Sequence, residues 1–330
     1  MPEVGGKCAS LGELMRAGMK VPPGFAVTTA AHKRFLDEHD LHRREHKLLG
    51  GIDYEHMSAV AEASRELRDL VEKCALPGDV EDEIRSAYGS MDARPVAVRS
   101  SAIAEDMSTA SFAGQLQTYL WIEGEDAVIE HVRRCWSGFF TPEALSYRRN
   151  FGIGEEEALM SVGVQRMVHA RSAGVMFTLN PINGDPSKIA IESTWGLGEA
   201  LVSGEVNPDR FMVDKVTLDV LDRVVGDKAI EYRLDQGKVS AHPIEDERRA
   251  TPSISDVEVV ELARLGKEIE RHYGRPEDVE WVIDADAGEL FVLQARAETV
   301  WSRRERPSLV AKKASALDYV LDDLLKRAKK

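Results

Sequence analysis

Two β-type runs, DVEWVID (278–284) and ELFVLQAR (289–296), flank the short turn ADAG, and this pairing constrains the chain more than any other feature. Valine, isoleucine and aromatic residues on either side of a Gly-containing turn read as an antiparallel hairpin. Side chains two apart on a strand share a face, so Asp278 and Glu280 point one way, as do Gln294 and Arg296. A turn centred on Ala287 pairs Glu280 with Gln294 and gathers all four polar groups on one face. Two carboxylates and an amide oxygen are hard ligands suited to Mg²⁺. An arginine beside them suits a phosphate, which it grips bidentately. On pattern alone, a solvated hairpin face with an ordinary cross-strand pair accounts for the same residues.

The chain has 330 residues, enough for about two lobes with a sizeable core and no need of disulfides. It carries 43 Lys and Arg against 57 Asp and Glu, a net charge of −14. That balance argues against a general nucleic-acid or anionic-membrane binder, although a local basic pocket stays compatible with it. Cys8, Cys74 and Cys135 are odd in number and widely spaced, which excludes a disulfide framework or a Cys-rich zinc site and suits a reducing compartment. The N-terminus MPEVGGKCAS has no apolar core of a signal peptide, and no run of about 18 apolar residues occurs. A cytoplasmic protein with no membrane partner is expected.

Along the chain, GGKCASLGELMRAG reads as a Gly-rich turn entering a helix, and VPPGFAV as a turn with a strand near Phe25–Thr28. Residues 39–88 are polar with apolar positions at helical spacing, including Val60, Leu67 and Val71. RPVAVRS reads as a buried strand running into a long stretch of small residues, SSAIAEDMSTASFAGQ. A helix is expected near Asp126–Phe140, with Val128, Ile129, Val132, Trp136 and Phe139 on one face. Strands then crowd together from Ala158: SVGVQRMV, AGVMFTLNP, KIAIEST and RFMVDK, with the short helix GLGEALVSG among them. Ser255 and Glu258 form a capping-box pattern opening a helix over Asp256–Tyr273. After Trp301, the basic SRRERPS reads as a linker to a terminal helix with Leu317, Val320, Leu321, Leu324 and Leu325 on one face. The expectation is an α+β fold of two lobes, residues 1–155 and 156–300, with a boundary near Phe151–Glu157 and a linker and helix over 301–330.

Other segments offer weaker chemistry. Arg99 ends the apolar strand of VRSSA, and the loop beyond it supplies Ser100, Ser101, Ser108, Thr109, Ser111 and Gly114, whose amides and hydroxyls suit phosphate oxygens. A flexible surface loop reads equally well there. GGK at 5–7 is not a Walker A motif, because Met1 and Cys8 occupy the positions that need Gly and Ser or Thr. GLGE at 196–199 opens a helix after a strand and offers amides to an anion. The nine histidines show no metal-ligand spacing, and His39, His42 and His46 are expected on a solvated helix. Cys8, beside Lys7 at a helix start, lacks an identifiable base and reads as structural.

Taken in order, the segments GGKCASLGEL, VPPGFAVTTAAH, VAVRSSAIAEDMSTASFAGQLQTYL, VQRMVHARSAGVMFTLNP, ESTWGLGEALVSGEVNPDRF and VEWVIDADAGELFVLQAR resemble the N-terminal ATP-grasp domain of the phosphoenolpyruvate synthase and pyruvate phosphate dikinase family. That family includes rifampicin phosphotransferase and the ATP-binding subunit of phenylphosphate synthase. The resemblance spans residues 4–296. It implies a two-lobed ATP-grasp fold with the nucleotide between the lobes and ATP and Mg²⁺ as cofactors. Lys7 and Arg99 are then expected on the phosphates, Gly114 and Thr118 along the nucleotide, and Gln165 near the adenine or the inter-lobe hinge. Glu280 and Gln294, with Asp278 close by, would hold Mg²⁺, and Arg296 would grip phosphate; Lys7, Arg99 and Arg296 would be the catalytic cations.

Two departures stand out. Only MPEV precedes the Gly-Gly-Lys turn, where the family carries a strand, and the Gly-rich Thr-Ser-His segment of the family's swivelling domain is absent from these residues. His242 in SAHPI is the nearest match and lacks the Gly-rich setting. The resemblance therefore points to an ATP-binding catalytic subunit whose acceptor histidine lies on a separate polypeptide, most like phenylphosphate synthase. An ATP-sensing regulatory module, or one domain of a longer synthase, are the alternatives. Retention of every charge argues against the first of these, and the terminal helix mildly against the second.

Overall fold

The computed structural model describes residues 3–91, 95–102, 117–154, 159–235 and 237–302. Gly114, the rest of the loop around it, and the expected basic linker and terminal helix lie outside the described residues.

The chain opens with α1 (Gly5–Arg16), β1 (Gly24–Val27), α2 (Thr29–Glu38), α3 (Leu41–Leu49), α4 (Met57–Lys73) and α5 (Gly78–Ser90). Next come β2 (Val96–Ala102), β3 (Thr118–Ile122), α6 (Glu125–Ser137), a 3-10 turn at Gly138–Phe140, α7 (Pro142–Asn150) and β4 (Met160–Arg166). Four of these strands form an antiparallel sheet in the order β1-β4-β2-β3. One face of it is apolar. Val96, Val98, Met160, Val162 and Val164 pack there against the helices, where Phe35, Leu67, Ile84, Trp136 and Phe139 are buried.

The second sheet is built from β5 (Ala170–Phe177), β6 (Lys188–Trp195), α8 (Glu199–Val202), β7 (Asp209–Asp214), β8 (Val220–Val224), β9 (Ile230–Asp235), β10 (Lys238–Pro243), α9 (Asp246–Arg249), α10 (Asp256–Tyr273), β11 (Glu277–Asp284) and β12 (Leu290–Ala297). Six strands run antiparallel in the order β12-β11-β5-β6-β7-β8, and β9 and β10 form a separate ribbon. The back of the six-stranded sheet buries Met176, Ile191, Phe211 and Trp281 against Val259, Leu262 and Ile269 of α10. Trp281 lies over Gly174, where an added Cβ would stand 2.5 Å from its Cζ2 and 1.9 Å from the Glu192 carbonyl oxygen. Only glycine allows that crossing.

The two-lobed α+β architecture is as expected, and α10 begins where its capping box predicts and ends at Tyr273 before Gly274 with φ +68. The expected boundary needs correction. β4 sits between β1 and β2, so the chain leaves the first sheet only after Arg166 and not near Phe151–Glu157. The reason lies in its alternation: Met160, Val162 and Val164 are the apolar face that the first core requires. The strands β8, β9 and β10 carry no apolar pattern strong enough to be expected from sequence, because their residues are largely exposed and charged. They are fastened by Lys228, wholly buried, whose Nζ donates to Asp209 Oδ1 at 2.6 Å and to the carbonyls of Gly226 and Arg249. No helix among the described residues is long and apolar enough to cross a membrane.

Candidate functional site

The polar face of the hairpin forms as its alternation predicts. Glu280 pairs with Gln294 and Asp278 with Arg296 across β11 and β12. Between these pairs and the turn lies a bulge that the sequence does not announce. Trp281 pairs with Val292, so Leu293 is the extra residue. A bulge leaves one residue out of the ladder. Here its carbonyl oxygen receives Arg99 Nη1 of β2, from the other sheet, at 3.1 Å. Arg99 Nη2 stands 3.8 Å from Glu280 Oε2. The two lobes thus meet through one guanidinium at the carboxylate end of the hairpin.

Electrostatics mark the same place. Asp278 is pushed up to about 6, first by burial, with the neighbouring Glu298 charge adding and Arg296 opposing. Arg296 Nε lies 3.4 Å from Asp278 Oδ2, while Asp278 Oδ1 is buried without a hydrogen-bond partner. A buried carboxylate oxygen left unsatisfied costs free energy unless a cation or donor reaches it. Two carboxylates and the Gln294 amide beside that orphan oxygen fit Mg²⁺, which takes oxygen ligands and keeps several waters.

The first lobe presents its polar face to this side. Ala97, Arg99 and Ser101 of β2, with Ser161, Gly163 and Gln165 of β4, alternate with the core residues and so look away from the first core. The start of α1 lies across them. Ser101 Oγ accepts from the Cys8 amide at 3.3 Å and donates to the Val4 carbonyl at 3.1 Å. Gly5 has φ +63, and a Cβ there would come within 2.2 Å of the Ser101 carbonyl oxygen. Half-buried Lys7 projects from this first turn. Cys8 is pushed up by burial, with Arg99 and Lys7 among the charges that pull it back, so the thiol stays protonated as a structural residue would. Midway along, α1 is tied to the second lobe by Ser10 Oγ, which donates to the Ala295 carbonyl at 2.9 Å and meets Tyr273 Oη at 3.0 Å.

The structure therefore brings Asp278, Glu280, Gln294, Arg296 and Arg99 together. Thr118, exposed, is the register partner of Arg99 and shares its face. Gln165 is buried in the first sheet, its Nε2 donating to the Pro22 carbonyl at 3.2 Å, one residue before the crossing between sheets. Three features escape the sequence reading. Val168, Ala173, Val282 and Phe291 form a small apolar cluster beside the polar quartet, with Arg166 stacked 5.5 Å from the Phe291 ring centre. Glu192 and Arg210 continue the row of Glu280 through Val175 across the open face of the sheet. Burial pushes Glu192 up, and the Arg210 charge opposes it. A lone carboxylate within the apolar run KIAIEST was the available signal. Third, the ribbon strand β10 lies against β3 of the first sheet, a further contact between the lobes.

A family model described as pyruvate phosphate dikinase, AMP/ATP-binding domain, matches residues 1–316. A probable phosphoenolpyruvate synthase of Staphylothermus marinus is 42% identical over 343 residues, covering 94% of this chain and 41% of that protein. The probable phosphoenolpyruvate synthase of Methanocaldococcus jannaschii is 40% identical over 329 residues, covering 98% of this chain and 27% of its own. That of Pseudomonas aeruginosa, a phosphoenolpyruvate synthase, is 42% identical over 320 residues, covering 91% of this chain and 40% of its own. The chain thus spans less than half the length of each of these relatives.

Proposed function

The chain belongs to the pyruvate phosphate dikinase AMP/ATP-binding domain family, and from that premise we propose that it holds Mg-ATP between its two sheets, in an ATP-grasp arrangement, and cleaves it to phosphorylate a histidine outside these residues. The observation that carries this reading is the convergence of Arg99 from one sheet on Glu280 and the Leu293 carbonyl of the other, beside the orphan oxygen of Asp278. A ligand that is apolar at one end and polyanionic at the other suits a face where the Val168–Phe291 cluster adjoins that polar quartet.

Glu280, Gln294 and Asp278 would hold Mg²⁺, which when bound supplies positive charge to the phosphates. The chain's own residues do the rest by position. Arg99 and Arg296 stand at the two ends of the quartet and oppose charge on the transferring group from opposite sheets. Lys7 adds a cation from the first turn of α1, and Thr118 a hydroxyl next to Arg99. Gln165 and the apolar cluster orient the base near the crossing. Such catalysis is positioning and electrostatic stabilisation, with the nucleophile brought from elsewhere.

AMP and phosphate are the expected by-products, and the acceptor histidine sits on a separate swivelling subunit in the cytoplasm, as in phenylphosphate synthase. A second reading is that the histidine follows in the same polypeptide, as a phosphoenolpyruvate synthase-like domain would have it; the greater length of the relatives favours it. ATP labelled at the β or the γ position tests the transfer under either reading. The chain by itself should turn over negligibly, and label should appear on a histidine of an added acceptor protein or domain. Sustained turnover by the isolated chain, with stable label on one of its own nine histidines, would overturn the proposal.

A further inference from the structure

Trp121 stands where a bulky side chain is least tolerated. Its φ is +61, in the left-handed region that suits glycine and asparagine, yet it lies inside the strand β3. Such strain persists only where the surrounding structure enforces it. Here a bulge does so. Val98 pairs with Tyr119 and Val96 with Ile122, so Leu120 and Trp121 together oppose the single residue Ala97. Tyr119 and Ile122 both pack on the first core. Plain alternation would have turned Trp121 into that core with them. The bulge instead displays it with Leu120 on the opposite side, the cleft face that carries Ala97, Arg99 and Thr118.

Its place on that face is defined by the neighbouring strands. β2 stands over the hairpin, where Arg99 reaches the Leu293 carbonyl and Glu280. β3 is the next strand outward and meets β10 of the ribbon. Ala97 lies two residues from Arg99 along β2, about 7 Å towards the crossing between the sheets, and its partner on β4 is Gln165. Gln165, Ala97, Leu120 and Trp121 therefore line the crossing side of the cleft from the first sheet. The second sheet presents Val168, Ala173, Val282 and Phe291 on its own crossing side. Trp121 is half-buried, and among the described residues its indole has no hydrogen bond, no ring contact and no place in an apolar cluster. A large flat aromatic surface, held at a cost and spent on neither core, suits a flat ligand.

We infer that Trp121 is a specificity residue for the nucleotide, laying its indole against the purine base from the first lobe. The inference rests on the reading that a nucleotide occupies the cleft. Calorimetry with Mg-ATP and with Mg-tripolyphosphate, which keeps the phosphates and lacks the base, isolates the contact. Trp121→Asn removes the ring and keeps a residue that tolerates positive φ. It should bind ATP about tenfold more weakly or worse, and bind tripolyphosphate as wild type does. Trp121→Phe retains an aromatic face and should stay within about threefold of wild type for ATP. ATP should quench the indole emission of wild type more than that of Trp121→Phe, and tripolyphosphate should quench neither. Unchanged ATP affinity in Trp121→Asn, or an equal loss for ATP and tripolyphosphate, would overturn the inference and leave the nucleotide reading standing. A wild-type chain that binds no Mg-ATP would remove that reading and the inference with it.

Discussion

Single atoms decide most of what this chain does. Glu280→Ala removes the proposed metal ligand and the carboxylate that faces Arg99, so on that proposal Mg-dependent ATP affinity should fall by about 2 kcal/mol, roughly thirtyfold. Calorimetry with and without Mg²⁺ reads that change, and unchanged affinity would take the hairpin out of the site. Gly5→Ala places a Cβ against the Ser101 carbonyl at a left-handed φ, so the first turn of α1 must shift. Loss of ATP affinity greater than the loss of melting temperature is the expected signature, because Lys7 moves with that turn. His32 makes a pH prediction. It is fully buried, its Nδ1 accepts from the Met160 amide, and burial, then the charges of His42 and Arg148, lower it to about 3. The unfolded chain takes up this proton near pH 6.5 and the native protein does not until about pH 3. Stability from this residue is therefore intact above about pH 6.5 and lost on acidification, by up to about 1.4 kcal/mol per pH unit. Asp278, raised to about 6, works in the opposite sense over the lower part of that window. Urea midpoints at pH 7 and pH 5 should consequently fall less in a His32→Phe variant than in wild type.

At the level of elements, what the sequence makes legible is what local rules determine. The register of Glu280 with Gln294 follows from strand parity, and α10 follows from its own ends: Ser255 Oγ accepts the Glu258 amide, and the Glu258 carboxylate accepts the Ser255 amide at 2.7 Å. Ser255→Ala should cost about 1 kcal/mol in urea denaturation, with the transition otherwise unchanged. The unread parts depend on distant partners. β4 belongs to the first sheet because of what it packs on, and nothing within VGVQRMV says so. The ribbon β9–β10 is held by Lys228 and Asp209, 19 residues apart and joined only in the fold. Replacing Lys228 by Met strands a buried carboxylate among Ser253 and Gly226, at a cost of roughly 3–5 kcal/mol. Circular dichroism melting tests it, and a drop of less than a few degrees would show the ribbon to be fastened elsewhere. The candidate site divides in the same way: the hairpin quartet was legible, whereas the Val168–Phe291 cluster and Glu192 needed the sheet order.

Across the whole molecule, two cores share one helix. Leu14 of α1 lies in the core behind the second sheet, while Gly5 and Cys8 of the same helix are seated on the first. Trp136 and Trp281 are each fully buried, one in either core, and single-tryptophan variants retaining one or the other report on them separately. Their unfolding curves should coincide in the parent chain. Leu14→Ala should cost about 2–5 kcal/mol and pull the Trp281 transition below that of Trp136. The bulge at Leu293 has a consequence of another kind. Deleting Leu293 would leave Val292 facing the core and Gln294 facing the cleft, since removal of the extra residue restores plain alternation. The sheet would not register the loss, and every side chain would keep its side. What disappears is a carbonyl, and with it the only peptide group of the hairpin that is bonded to Arg99 among the described residues. A chain shortened by that one residue should fold as before, still joined through α1, while Arg99 loses its anchor across the cleft, an error invisible to stability and visible to the ligand.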